Sequence, residues 1–179
     1  MLTADDIILR EVAPFDLLAI HEYRAEFLET GDGMDGTSCL RDYEDMNAWF
    51  DFIRRSSKKE TCRPDWVPDT QYVCIRRTDN RLVGMLDIRD ELNEDCLRYY
   101  GHIGYSVRKS ERRKGYAAAM LRLALDICRE KGMPRVLVTC NKENTASVKT
   151  ILKCGGALEN ELFDPNDETM TQRYWIKIF

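Results

Sequence analysis

The stretch from Arg98 to Cys140 constrains the fold more than any other. A strand-like run, Arg98 to Val107, places Tyr99, Ile103, Tyr105 and Val107 on one face and Tyr100, His102 and Ser106 on the other. A basic turn follows, and Gly115 to about Lys131 has the period of an amphipathic helix. Ala117, Leu121, Ala124, Leu125 and Cys128 form its apolar stripe, and Arg122, Asp126, Arg129 and Glu130 lie opposite. Gly132 and Pro134 end the helix, and Arg135 to Cys140, centred on Val-Leu-Val, is a buried strand. Strand, helix and strand in this order predict a right-handed βαβ crossover with parallel strands.

The flanking segments supply the rest of the fold. Ile7 to Val12 is a short strand, and Pro14 opens a helix to about Glu29 with Leu17, Ile20, Tyr23, Arg24, Phe27 and Leu28 on one stripe. Gly31 to Gly36 is a glycine-rich loop. Asp42 to about Ser57 reads as a second helix, with Met46, Trp49, Phe50 and Ile53 at helical spacing, and Cys62 to Asp69 is a Pro-containing loop. Gln71–Thr78 and Arg81–Asp90 form a hairpin at Asp79-Asn80. Asn144 caps a helix, with Val148, Ile151 and Leu152 facing inward, that ends at Gly155-Gly156. Two last strands, about Ala157–Phe163 and Thr171–Phe179, flank the turn Pro165-Asn166-Asp167. The expected fold is α/β, mixed α+β: a central, mostly antiparallel sheet with one parallel βαβ pair and helices on both faces. The 179 residues suit one domain.

Composition narrows the function classes. A net charge of −4 argues against nonspecific nucleic-acid binding. No apolar run approaches the roughly 18 residues of a membrane span. The start, MLTADDIILRE, lacks a secretory leader pattern, so a cytoplasmic location is expected. Seven cysteines, at 39, 62, 74, 96, 128, 140 and 154, contain no CxxC pair, and His21 and His102 are the only histidines. Reduced, packed cysteines and no metal site are expected.

The basic turn stands out in this acidic chain: five of the seven residues 108–114 are Lys or Arg. It leaves a strand and enters a helix, whose first N–H groups and dipole attract anions. Gly115 lets backbone approach a ligand, small Ala117 avoids a clash, and Arg108, Arg112 and Arg113 add positive charge. The alternative is a solvated basic loop with a helix cap. Neither GxxxxGK[ST] nor GxGxxG is present.

Arg112-Arg113-Lys114-Gly115-Tyr116-Ala117 resembles the [QR]-x-x-G-x-[GA] signature of the GNAT superfamily of N-acetyltransferases, and Asn144-Thr145-Ala146-Ser147 with Gly155 resembles its N-x-x-[AS]-x(7)-G segment. The similarity covers roughly residues 70 to 179. It implies that backbone amides of residues 112–117 hold the coenzyme A pyrophosphate. It also implies that the pantetheine arm lies between the strands ending near Val107 and Asn141. The Val107 N–H would then meet the thioester oxygen, and Asn144 would touch the coenzyme. Asn144 as a simple helix cap and Asn141 as a turn residue remain alternatives.

Acyl transfer to an amine needs a neutral nitrogen, a polarised thioester and a protonated leaving thiol. His102 is the candidate base, against the reading of a packed histidine. Glu26 and Glu22 follow, since the first helix commonly lines the family's acceptor cleft; the alternative is the wet side of any helix. Cys140 is a weaker candidate nucleophile, Trp66 a candidate edge of the acceptor site, and Trp49 and Trp175 core residues. The family often has a tyrosine acid seven residues after the asparagine, where this chain has Ile151. Water, Tyr100 or Tyr116 would have to replace it.

The reading is a single domain over 1–179, with residues 1–70 on the acceptor side and 71–179 an acetyl-CoA-binding core. Its function would be acetyl transfer from acetyl-CoA to a primary amine by direct attack, with no metal. A non-catalytic CoA-binding sensor is the alternative. The expected partners are acetyl-CoA and an amine acceptor, small molecule or protein, with no nucleic acid or membrane; a homodimer is allowed.

Overall fold

The computed structural model describes residues 4–179. The elements run β1 (Ile7–Glu11), α1 (Leu17–Thr30), α2 (Met46–Ser56), β2 (Asp69–Arg76), β3 (Arg81–Arg89), β4 (Ile103–Val107), α3 (Tyr116–Glu130), β5 (Arg135–Asn141), α4 (Thr145–Lys153), β6 (Ala157–Asp164) and β7 (Thr169–Lys177). The class is mixed α/β, and the hydrogen-bonded strands form two sheets, β1-β2-β3-β4 and β5-β7-β6, in which every pair is antiparallel.

Alternation along the strands explains why helices cover both faces of the first sheet. Tyr72 and Cys74 of β2 face one cluster with Ala119, Met120 and Leu121 of α3, while Val73 and Ile75 face another with Tyr23, Phe27 and Trp49 of α1 and α2. A bulge opposite Cys74 and Ile75 skips Val83 and switches the parity of β3, so Leu82 and Met85 share the second cluster while Val83 and Leu86 share the first.

Three sequence expectations are revised. Residues 98–100 are not strand: they belong to one wide helical turn, Cys96–Tyr100, closed by Gly101 N–H donating to the Cys96 carbonyl at 2.6 Å. The β2–β3 connection spans the four residues between paired Arg76 and Arg81, not two, with Asn80 in the left-handed region. The parallel pair is the third. No ladder joins β4 to β5; the sheets touch where His102 N–H donates to the Leu137 carbonyl at 2.7 Å and the His102 Nδ1 accepts the Leu137 N–H at 2.9 Å. An imidazole thus takes the place of a neighbouring strand's carbonyl. Beyond that contact β4 and β5 are unpaired with each other, and a cleft opens between them.

Candidate active site

The cleft has a volume of about 880 Å³. Of the residues assigned to the coenzyme from sequence, Val107, Arg112, Arg113, Gly115, Tyr116, Ala117, Asn141 and Asn144 line it; Lys114 does not. Gly115 precedes α3 with φ 95°, a left-handed conformation that favours glycine, and no side chain caps the helix start. The first-turn N–H groups of α3 therefore point outward without an internal acceptor.

Most of the basic run is neutralised within the protein. Arg108 is buried 3.4 Å from Glu26, Arg112 donates to Asp32 at 2.9 Å and to the Val107 carbonyl at 3.1 Å, and Lys114 donates to buried Glu111 at 2.7 Å. Lys109 lies 4.0 Å from Asp32. Among the described residues Arg113 alone in this run forms no ion pair. Glu26, a base candidate, is occupied: its Oε1 accepts the Ser110 N–H at 2.8 Å. Glu26 holds the basic loop from behind and is absent from the cleft wall.

The middle of the cleft is the free edge of β4. Arg108 N–H donates to the Val83 carbonyl, and Arg89 N–H to that of His102, which fixes the even-numbered residues of β4 toward β3. The Tyr105 and Val107 N–H groups consequently face β5 and the gap. Asn141 and Asn144 border the same gap, with their side-chain oxygens on the Glu143 and Ser147 N–H groups. The cap and turn roles are therefore made, at positions that also line the cleft. Beside them the Tyr105 hydroxyl meets Ser147 Oγ at 2.7 Å. Burial raises the Tyr105 phenol pKa and also that of the Cys140 thiol, which is the wrong direction for a nucleophilic thiolate.

The far end is acidic: Asp35, Asp164 and Asp167 line it with Tyr99, Tyr100, Thr169 and Thr171. Asp35 is open to solvent at the cleft wall and closed in by protein elsewhere; that burial, with Asp87 and Asp167 nearby, raises its pKa. Sequence reasoning missed Asp35, Tyr105 and Ser147 as site residues. Ser147 already stands in the N-x-x-[AS] segment, but no local pattern marks Asp35 or Tyr105 or brings the three together, because each acquires its place through contacts 42 to 71 positions away along the chain.

His102 is placed elsewhere. It is buried against Trp175, its Nδ1 is committed to Leu137, and it is absent from the cleft wall. Burial pushes its pKa down to about 4. Ile151 is fully buried in the core, so its position on α4 does not face the cleft. Tyr116 is buried with its hydroxyl on Arg76, whereas Tyr100 is exposed. Glu22 is exposed on α1, away from the cleft wall. Trp49 is core, with Nε1 on the Thr37 carbonyl. Trp66 borders a separate hollow with Arg63 and Pro64, not the cleft. Among the described residues no group of His, Cys, Asp and Glu is arranged to hold a metal, and no helix is long and apolar enough to cross a membrane.

Comparison with known proteins agrees with the geometry. A sequence model of the acetyltransferase (GNAT) domain matches residues 6–157. Among solved structures, a Vibrio cholerae spermidine N-acetyltransferase in complex with CoA and spermine aligns with a TM-score of 0.67 at 16% identity, covering 97% of this chain and 96% of that one. A GNAT-family acetyltransferase from Bacillus anthracis aligns with a TM-score of 0.64 at 20% identity, covering 99% and 98%. No curated protein matches. The match over most of the chain, with the uncapped helix start and the open strand edge, places the protein in the GNAT family of acyl-CoA-dependent N-acetyltransferases.

Proposed function

We propose that this chain transfers the acetyl group of acetyl-CoA to a primary amine that enters the cleft as a cation, by direct attack and without a covalent enzyme intermediate. One observation carries the reading: a single cleft runs from the uncapped start of α3, past the unpaired edge of β4, to Asp35, Asp164 and Asp167. A sensor of coenzyme alone has no use for carboxylates beyond the reacting edge. An ammonium group does, because carboxylates in a confined cleft concentrate cations. The solved relative that binds spermine agrees with a cationic acceptor.

In this reading the protein is one domain, residues 1–70 contributing to the acceptor side and 71–179 to the coenzyme side. Backbone N–H groups at residues 115–117 and the Arg113 guanidinium hold the pyrophosphate. The Val107 N–H stabilises the negative charge that develops on the thioester oxygen. Asn141 and Asn144 shape the wall along the pantetheine arm. Cys140 has no acylation role in this reading, since burial disfavours its thiolate. The Tyr105–Ser147 hydroxyl pair supplies a hydrogen bond to the departing sulfur from β4, where other family members use a tyrosine on the helix equivalent to α4.

The test is calorimetric titration with acetyl-CoA, followed by release of free thiol from acetyl-CoA with spermidine, spermine, an aminoglycoside and a lysine-containing peptide. Binding with turnover of at least one amine is expected, and Tyr105→Phe lowers kcat about 10-fold with KM for acetyl-CoA unchanged. Binding of acetyl-CoA with no thiol release from any amine would establish the sensor reading instead.

A further inference from the structure

Two faces of β4 meet the gap to β5, and alternation assigns each a different polar group. Tyr105 projects toward α4 and ends on Ser147; Ser106 projects toward α1, where its hydroxyl accepts from the Tyr23 hydroxyl at 3.0 Å and donates to the Asp35 carbonyl at 2.6 Å. Asp35 is thereby tied to the strand that carries the thioester-binding edge. Its neighbour is tied as firmly. The Gly36 carbonyl accepts from Gln71 Nε2 at 2.7 Å, and Gly36 packs so closely on β4 that a Cβ there would lie 2.3 Å from the Gly104 carbonyl oxygen. The loop between α1 and α2 is thus a rigid bracket across β4, and it sets Asp35 in the cleft lining.

We propose, resting on the transferase reading above, that Asp35 is the general base of the reaction: on the α1 side of β4 it takes the proton of the acceptor ammonium, and the freed amine attacks the thioester lying along the β4 edge. The balance is complete. One N–H bond of the ammonium breaks and its proton goes to Asp35. The nitrogen lone pair forms the C–N bond, and the C–S bond breaks with its electron pair on sulfur. A second proton leaves nitrogen and ends on sulfur, giving amide and free thiol, while Asp35 returns its proton to solvent.

The groups around Asp35 suit this task. Burial first, then Asp87 on β3 and Asp167 in the β6–β7 turn, raise its proton affinity. Asp87 is itself held by Arg89 at 2.7 Å and by the Gly104 N–H at 2.9 Å. Asp69 on β2 lies behind Ser38, and Arg89 and Asp164 complete the charged lining at this end. Asp35 also bears on the Tyr105 phenol, raising it further, so base and phenol act on one small volume. His102, with its ring buried at the sheet junction, reaches no acceptor.

The experiment compares wild type, Asp35→Asn and Asp35→Glu with the amine that wild type acetylates fastest in the panel, measuring kcat and KM from pH 6 to 9.5 and acetyl-CoA binding by calorimetry. Asp35→Asn is expected to bind acetyl-CoA as wild type does and to lose about 100-fold or more in kcat at pH 7. It recovers as pH rises and the amine loses its proton unaided. Asp35→Glu keeps the form of the wild-type profile at reduced kcat. A loss in Asp35→Asn that is equal at pH 7 and 9.5, a loss confined to KM for the amine, or kcat within about 3-fold of wild type would overturn the base assignment while leaving the transferase reading intact. Acetyl-CoA binding by wild type with no amine turned over would overturn both.

Discussion

The two ends of the cleft differ in how the chain builds them. The proposed coenzyme end comes from one continuous segment, β4 through the start of α3, where a strand end, a basic run and Gly115 follow one another in sequence. The proposed acceptor end is assembled from pieces far apart: Asp35 between α1 and α2, Asp87 on β3, Tyr100 before β4 and Asp167 between β6 and β7. Binding a phosphate uses backbone N–H groups at a helix start, a local property any sequence writes locally. Recognising an amine uses side chains whose meeting depends on the whole fold. The first kind of site is legible from a short motif and the second is not.

Matched glycine substitutions at the two ends would break that comparison if it is wrong. Gly36→Ala forces a Cβ against the Gly104 backbone at a φ of 69°, so the bracket carrying Asp35 must shift. The expected result is about a 100-fold loss in kcat/KM for the amine, as misplacement by about 1 Å produces, with acetyl-CoA affinity within about 2-fold of wild type. Gly115→Ala puts a side chain at a φ of 95° beside the α3 start. It should weaken acetyl-CoA binding about 10-fold while KM for the amine holds. Kinetics against each substrate, with calorimetry, check both; equal effects of the two substitutions on both substrates would show that the ends are not separable.

The next effect concerns His102, where sequence and structure part company. A histidine on a strand leading to a reactive loop reads as a base. Its structural task, accepting the Leu137 N–H where the two sheets diverge, follows from the absence of a β4–β5 ladder. No periodicity announces that absence, which is also why the parallel pair was expected. His102→Phe leaves a buried N–H without an acceptor and should cost about 1–3 kcal/mol at pH 7.5. The sign of the pH effect follows from a pKa of about 4 folded against 6.5 unfolded. The unfolded chain binds the proton first, so the stability due to neutral His102 is full above pH 6.5 and is lost as pH falls toward 4. Between pH 7.5 and 5 that loss is roughly 2 kcal/mol. Asp69, raised to about 6 by burial and then Asp87, works in the opposite sense between its ordinary value and 6. It is present in both proteins, so the gap between wild type and His102→Phe isolates the histidine. Urea unfolding should show the gap narrowing at pH 5, and the pH profile of kcat should not change.

Much of the remaining fold was readable because its elements carry their own signals. The Asn144 cap, the α3 stripe and the Gly155 stop lie where pattern and capping put them, and of the α4 stripe Ile151 is core while Leu152, expected to face inward, is exposed. Ile151 is packed closely as well as buried: a Cβ added at Gly156 would lie 2.4 Å from its methyl. What composition hid was the pairing of charges. Five cations in seven residues read as an open basic face, yet three of them, Arg108, Lys109 and Arg112, meet carboxylates, Glu26 and Asp32, that sit more than 70 positions earlier.

That hidden pairing makes the smallest prediction the sharpest. A count of charges gives every cation of the loop an equal share in phosphate binding. The structure divides them: Lys114, itself absent from the cleft wall, spends its charge on Glu111, while Arg113 is exposed, lines the cleft and has no ion-pair partner among the described residues. An exposed guanidinium on a phosphate is worth about 1 kcal/mol, so Arg113→Ala should raise the Kd for acetyl-CoA roughly 5-fold. Lys114→Ala should change it less than about 2-fold, because Arg76 and Arg81 remain to compensate Glu111. The Arg113 effect should shrink in about 1 M salt, where screening reaches within about 3 Å, whereas binding by the α3 backbone N–H groups should persist. Calorimetric titration of both variants at low and high salt measures this directly. Equal losses in the two would mean that the loop binds as a diffuse field of charge, and that the internal pairs with Glu26, Asp32 and Glu111 open when the coenzyme arrives.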